Sequence, residues 1–224
     1  MNEIKLIIFD SDGTLYSLND VVSMNFQMQI DFYSAYTGKD RNQAMKDFEA
    51  NNIYPIMTDK SRSATEFFVR LGIPSAIWNA YREEHFDVSL IKRENSVKQG
   101  IMEKFAEICP LILLSSNSKN NIHRILNHIK ISPELFIKII GNDNKCSITP
   151  FTKSQEMRNI ALLYKIPFRN MISIGDRYRT DVETMVSLGG MGIVVKGPND
   201  LSAIYNALNT GIFDGINIHI SQSR

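Results

Sequence analysis

Short apolar runs punctuate the chain, each closed by polar or glycine-containing turn residues, with stretches of helical periodicity between them. Lys5–Phe9, Leu111–Leu114, Phe136–Ile137 with Ile139–Ile140, Met171–Ile174 and Met191–Val195 read as strands. Continuous apolar character over so few residues suits a strand covered on both faces. Pro110 opens the second run and Ser115-Ser116-Asn117 closes it; Gly141, Gly175-Asp176 and Gly197-Pro198 end the later ones. Between them, Ser96–Ile108 sets Val97, Ile101, Phe105 and Ile108 at spacings of four, four and three, an apolar stripe on a helix. Asn121–Ile129, Ser154–Tyr164, Thr180–Leu188 and Leu201–Leu208 supply further helices. Strand–helix alternation of this kind predicts an α/β architecture: a doubly wound parallel sheet with helices on both faces. In such sheets ligands bind beyond the carboxyl ends of the strands, at the switch point.

From Tyr16 to Lys92 the alternation stops, and no buried strand is evident. Val22, Phe26, Ile30 and Tyr33 step by four, four and three; Phe67, Phe68 and Leu71 form another apolar face, stopped by Gly72 and Pro74. The expected organisation is a catalytic core over 1–15 and 93–210, a helical cap domain over 16–92, and a polar, loosely held tail over 211–224. Phe26, Phe32, Tyr33, Phe67, Phe68 and Trp78 read as the interior of that cap rather than as a base-stacking platform. Lys39, Arg41, Arg62, Arg82 and His85 read as solvated helix charges, with no substrate role assigned to them.

Composition narrows the function classes. The 224 residues, 43% hydrophobic and 22% charged, are those of a globular chain with one or two domains. Lys and Arg number 25 against 24 Asp and Glu, a formal net charge of +1. A dedicated nucleic-acid or membrane-surface binder would carry a basic excess, so neither is expected as a partner. Cys109 and Cys146 lie outside any CxxC pair; Cys109 is expected as a buried, reduced thiol and no disulfide framework is expected. The apolar run at Leu6–Phe9 is too short for a signal core, and no uncharged apolar stretch approaches the ~18 residues of a membrane span. The expectation is a soluble, cytoplasmic protein.

Candidate chemistry sits where the strands end. Asp10 and Asp12 follow the first, Ser116 and Asn117 the second, Asp176 and Asp181 the fourth, and Lys153 precedes the helix leading into that fourth strand. Carboxylates converging at one sheet edge repel each other unless a divalent cation sits among them, and hard oxygen ligands suit Mg²⁺. In Asp10-Ser-Asp12, one carboxylate can attack phosphorus while the second protonates the leaving alcohol and then deprotonates water. Gly13 would let the backbone approach a phosphate, and the Thr14 hydroxyl would fasten the turn. Ser116 and Asn117 offer a hydroxyl and an amide to a phosphate at a helix N-terminus, and Lys153 would neutralise its charge. Taken singly, each motif has an ordinary reading: a polar turn, a helix cap, a surface lysine or an N-terminal helix acid.

Together and in this order, these elements resemble the haloacid dehalogenase-like superfamily, from residue 4 to about residue 208. The resemblance implies a Rossmann-like core with an inserted all-helical cap of the first type. It implies Asp10 as nucleophile, Asp12 as acid and base, and Ser116 as the phosphate hydroxyl. Mg²⁺ would be held by Asp10, the main-chain carbonyl of Asp12 and Asp176, with Asp181 in support. The third motif departs from the family's Lys-Pro: Thr149-Pro150 keeps the proline, Lys153-Ser154 keeps a lysine, and Lys145 is a further substitute. Counting back from Gly175-Asp176 favours Lys153. Dehalogenases of the superfamily lack an acid at the second position, so Asp12 points to phosphoryl chemistry. The expected function is hydrolysis of a small phosphorylated metabolite, as in phosphoglycolate phosphatases or pyrimidine nucleotidases. A sugar phosphomutase and a non-catalytic binding protein that kept the fold stand as alternatives. A monomer and a weak homodimer suit the pattern equally.

Overall fold

The structure, a computed structural model, describes residues 3–55, 63–143, 151–212 and 215–220. Thr149, Pro150, Lys145, Cys146 and Arg62 therefore lie outside the described residues. In chain order the elements are β1 (Leu6–Phe9), α1 (Val22–Thr37), α2 (Arg41–Ala50), α3 (Ala64–Arg70) and α4 (Ser75–His85). Next come α5 (Gln99–Ile108), β2 (Leu111–Leu114), α6 (Lys119–Ile129), β3 (Phe136–Ile140), α7 (Lys153–Tyr164) and β4 (Met171–Gly175). The chain continues through α8 (Glu183–Ser187), β5 (Met191–Val194), α9 (Asp200–Thr210) and β6 (Ile218–Ile220). Two compact units result: Met1–Ser17, Ile91–Asn142 and Phe151–Arg224 form one; Leu18–Leu90 and Asp143–Pro150 form the other.

The first unit is built on a sheet of order β3-β2-β1-β4-β5-β6, with β1 to β5 parallel and β6 antiparallel to β5. Every residue of β1, β2 and β4 is buried, as expected for central strands with helices on both faces. Leu6 and Ile8 pack with Ile112, Leu114, Met157, Ile160, Met171 and Met185 on the α7 and α8 side. Phe9 meets the Phe105 ring edge-on at 5.0 Å, and Phe105 in turn meets Tyr205 at 5.8 Å, on the α5 and α9 side. The chain runs outward from β1 to β3 and then returns to β4 on the other flank of β1. The switch point is thus the gap between the carboxyl ends of β1 and β4, where Asp10 and Asp176 leave the sheet.

The second unit is helical, with a largely aromatic interior. Phe32 packs against Phe68, Trp78 and Tyr81 with ring centroids 5.0–5.2 Å apart, and Tyr33 lies 5.6 Å from Phe48 and 5.4 Å from Phe67. The buried Trp78 ring donates its Nε1–H to the Thr65 hydroxyl at 3.0 Å. Gly38, in the left-handed region at φ 73°, ends α1, and its N–H returns to the Ser34 carbonyl.

Four local expectations change. Helix α5 starts at Gln99 rather than Ser96, because a 3-10 turn over Arg93–Asn95 gives way to extended backbone at Ser96 and Lys98, and this segment bonds to the one after β1: Val97 N–H donates to Leu15 O and Ser17 N–H to Asn95 O. Ile137 is half-exposed, since β3 is an edge strand. The helix expected at Thr180–Leu188 opens as a π-turn over Tyr178–Val182 before α8 begins. The tail expected to be loosely held contributes β6, in which Ile218 pairs with Ile193 and Ile220 with Met191, and His219 packs its ring 4.6 Å from Tyr178. A chain shortened to end at Gly211 exposes the β5 edge and loses these contacts. Its sheet unit should melt roughly 2–8 °C lower by calorimetry, the equivalent of about 1–2 kcal/mol; an unchanged melting temperature would show that β6 adds nothing.

Candidate functional site

Strand β1 delivers Asp10 to the switch point, and its N–H still belongs to the sheet, donating to Ile174 O at 2.9 Å. The chain then turns back on itself: Thr14 N–H and Leu15 N–H both donate to Ser11 O, at 3.3 and 2.9 Å. Gly13 holds φ at +82°, and a Cβ there would lie inside contact distance of the Asp176 carboxylate. Glycine at this position therefore gives Asp176 its place as well as the turn its shape. Gly175 does the same for Asp181, whose Cβ and carboxylate fill the space that a side chain at 175 would need.

The charged groups converge here. Lys153, the first residue of α7, is placed by Thr152, whose hydroxyl caps the helix by accepting from Gln155 N–H at 3.2 Å. Its Nζ makes a short contact with Asp10 Oδ1 and donates to Asp181 Oδ1 at 2.7 Å. All three side chains are nearly sealed from solvent, at 8, 6 and 2% exposure. Burial works against the ammonium, but the Asp10 and Asp181 carboxylates outweigh it and hold Lys153 above its ordinary range. Burial pushes Asp10 well up against the opposing pull of Lys153, and Asp181, Asp176 and Asp12 push the same way. For Asp181 the balance is reversed. Burial raises it, yet the ion pair with Lys153 and bonds from Lys153, Arg177 N–H and Thr180 Oγ1 hold it below the carboxylate range.

Asp176 is the unbalanced member. Burial pushes it up to about 7, opposed by Arg177, whose Nε lies 3.9 Å from Oδ2. Carboxylate oxygens of Asp10, Asp176 and Asp181 lie within 4.8 Å of one another. At such separations each like-charged pair repels by roughly 3 kcal/mol at an effective dielectric constant near 20. Three carboxylates against one buried ammonium and the half-exposed Arg177 guanidinium leave a negative excess, which a divalent cation would offset. The donor set is all oxygen, and it fits a hard cation. Asp10, Asp176 and Asp181 each offer it a carboxylate oxygen. The Asp181 oxygens are also engaged by Lys153, Thr180 and Arg177 N–H, so this side chain fixes Lys153 as well.

The remaining expected residues divide into two groups. Ser116 stands exposed at the carboxyl end of β2, in the strand next to β1. Asn117, expected to offer its amide to a phosphate, is fully buried; its amide oxygen accepts from Ser118 N–H and Asn121 Nδ2 at 3.1 and 3.3 Å, and its Nδ2 has no partner among the described residues. It braces the turn beneath Ser116. Thr14, expected to fasten the turn beside a phosphate, is also fully buried, and its hydroxyl faces Asp10 Oδ2 at 3.4 Å. Asp12 is partly exposed and accepts from the Tyr16 hydroxyl at 3.0 Å. Sequence reasoning missed Tyr16 by assigning it to the helical insertion. It also missed Ser173, the lone polar side chain within β4, which donates to the Asp181 main-chain carbonyl and pins the π-turn to the sheet. The buried Cys109 is remote in kind from this chemistry, its thiol pushed up to about 11 by burial. Among the described residues, no helix is long and apolar enough to cross a membrane.

Residues 4–189 match the family model described as haloacid dehalogenase-like hydrolase. No curated protein matches the sequence. Among solved structures, the chain is similar to a HAD phosphatase from Thermococcus onnurineus, at 17% identity and TM-score 0.57, over 90% of this chain and 97% of that one. It is similar to a β-phosphoglucomutase from Clostridium difficile at 18% identity and TM-score 0.53, over 93% and 99% of the two chains. A putative HAD-hydrolase from Bacillus subtilis bound to magnesium matches at 13% identity and TM-score 0.53, over 92% and 100%. At these identities the structures share the fold.

The electrostatics carry a signed consequence. Asp176 is raised in the fold, so between about pH 4 and pH 7 the folded chain holds a proton that the unfolded chain has released. Its contribution to stability is therefore lost as pH rises through that window, and a bound cation restores it. Differential scanning fluorimetry should show a larger Mg²⁺-induced rise in melting temperature at pH 8 than at pH 5.5. An equal rise at both would remove Asp176 from the metal site.

Proposed function

Because the chain belongs to the haloacid dehalogenase-like hydrolase family, we propose that it hydrolyses small phosphate monoesters through an aspartyl-phosphate on Asp10. The observation that supports this most is the Lys153 ammonium seated between Asp181 and Asp10, the latter followed two residues on by a second carboxylate at Asp12. A nucleophilic carboxylate must be ionised although buried, and Lys153 opposes the burial that would neutralise it. Asp12 supplies what a phosphate ester needs and a halide does not, a proton for the departing oxygen.

In the proposed reaction a carboxylate oxygen of Asp10 forms a bond to phosphorus as the ester P–O bond breaks. The bonding pair leaves on the alcohol oxygen, which takes the proton of Asp12. Asp12, now a carboxylate, removes a proton from water as that water's oxygen bonds to phosphorus and the Asp10–phosphorus bond breaks. Inorganic phosphate departs, with Asp10 ionised and Asp12 protonated again. Lys153 balances charge on the transferring group, and Ser116 offers a hydroxyl to it from the β2 side. Mg²⁺ would be held by Asp10 and Asp176 with Asp181 beside them, and by the Asp12 carbonyl that the family resemblance implies, and would supply positive charge that offsets repulsion between the carboxylates and the phosphate.

Turnover of p-nitrophenyl phosphate should require Mg²⁺ and disappear on chelation. Asp10→Asn should lower kcat/KM by roughly a thousandfold or more, and Lys153→Met by roughly a hundredfold. Metal-independent turnover, or an active Asp10→Asn variant, would sink the mechanism. Activation by a sugar bisphosphate with accumulation of an isomerised sugar phosphate would move the protein to the mutase branch. A silent protein that still binds Mg²⁺ across a broad ester panel would be a non-catalytic relative.

A further inference from the structure

Asp10 and Asp12 are two residues apart, yet different parts of the fold hold them. Asp10 is gripped by Lys153 and Thr14. The Asp12 carboxylate receives the Tyr16 hydroxyl on Oδ1 at 3.0 Å, and the Tyr16 ring is fully buried. Main-chain bonds anchor that ring on both sides: Val97 N–H donates to Leu15 O at 2.9 Å, and Ser17 N–H donates to Asn95 O at 3.0 Å. Bridges pair Tyr16 with Ser96 on one side and with Asp12 itself on the other. A ring wedged into a packed interior and bonded through its backbone cannot shift without moving its neighbours.

We propose that Tyr16 is a positioning residue that fixes the rotation of the Asp12 carboxylate and so selects which oxygen carries the transferable proton. The last torsion of an aspartate is broad and nearly two-fold, so a carboxyl on its own exchanges its oxygens readily. With Oδ1 accepting from the phenol, the proton of the acid form resides on Oδ2. That oxygen then gives its proton to the leaving alcohol and later receives one from water. The inference rests on the reading of Asp12 as acid and base. The bland account is that a buried phenol needs an acceptor and Asp12 is the nearest one.

Leaving-group dependence separates the two accounts. An alkoxide leaves phosphorus only with a proton delivered to it, whereas p-nitrophenolate needs little help. Tyr16→Phe keeps the ring and removes the hydroxyl, and circular dichroism should confirm that it folds. Its kcat/KM should fall about 10- to 100-fold with a simple alkyl phosphate and no more than about threefold with p-nitrophenyl phosphate. Asp12→Asn should show the same selectivity to a greater degree. An equal fall with both esters, or no fall with either, overturns the proposal. Should the native enzyme hydrolyse neither ester, the phosphatase reading fails, and crystal structures of the native protein and Tyr16→Phe decide the positioning claim separately. A carboxylate released into another rotation supports it; one that keeps its native rotation overturns it.

Discussion

The ammonium of Lys153 is the contact around which the sheet edge is organised. Carboxylates of Asp10, Asp176 and Asp181 are crowded within 4.8 Å of one another where β1 and β4 end, largely out of solvent. Such a cluster is costly without countercharge, because removing a single partner leaves a buried charge uncompensated. One lysine touches two of the three carboxylates and leaves Asp176 with only the half-exposed Arg177 guanidinium at 3.9 Å, so a cation or a proton there is favoured. Stability and cation binding are thereby coupled: the arrangement that makes the empty fold less stable near neutral pH is the one that gives a hard cation something to bind.

Backbone geometry makes that crowding feasible. Two glycines, Gly13 and Gly175, sit where any Cβ would collide with Asp176 and Asp181, so the turn after β1 and the strand end of β4 can approach closely. A π-turn follows, and in it Asp181 receives Arg177 N–H while Ser173 holds the Asp181 carbonyl from within the strand. π-Turns are uncommon and concentrate at functional sites, where they redirect one side chain without breaking a helix. Here the redirected side chain is the one that aims Lys153. Sheet, turn and helix α7 therefore converge on a single nitrogen.

Much of this was legible in the sequence, for physical reasons that also explain what was not. Central strands announce themselves because both faces are buried, which makes Leu6–Phe9 and Leu111–Leu114 continuous apolar runs and Met171–Ile174 one broken only by Ser173. Each ends at the polar residue it delivers to the site, so Asp10 and Asp176 could be placed together before any coordinates. Lys153 was reached by counting back from Gly175-Asp176, and the structure puts its Nζ on Asp10. Strand β6 was missed because three residues on a sheet edge, Ile-His-Ile, carry too little apolar signal to stand out from a polar tail. The π-turn was missed because apolar spacing reports the period of a helix and not the extra residue that widens one turn. The burial of Asn117 and Thr14 was not legible, because polar residues after a strand give no sign of it; the Asn117 amide oxygen bonds within its own loop and the Thr14 hydroxyl faces Asp10.

Tyr16 exposes a more general limit of motif reading. A pair of carboxylates spaced as Asp10 and Asp12 are has no intrinsic division of labour, because both side chains have the same chemistry and nearly the same ordinary acidity. Division comes from surroundings that differ over a few ångströms. Asp10 is drawn toward a cation and sealed from solvent, conditions suited to an ionised nucleophile once charge is balanced. Asp12 is partly exposed and accepts from the Tyr16 hydroxyl, which orients its carboxylate. The sequence motif specifies that two acids are present. In the proposed reaction, the lysine on one and the tyrosine on the other give them opposite parts.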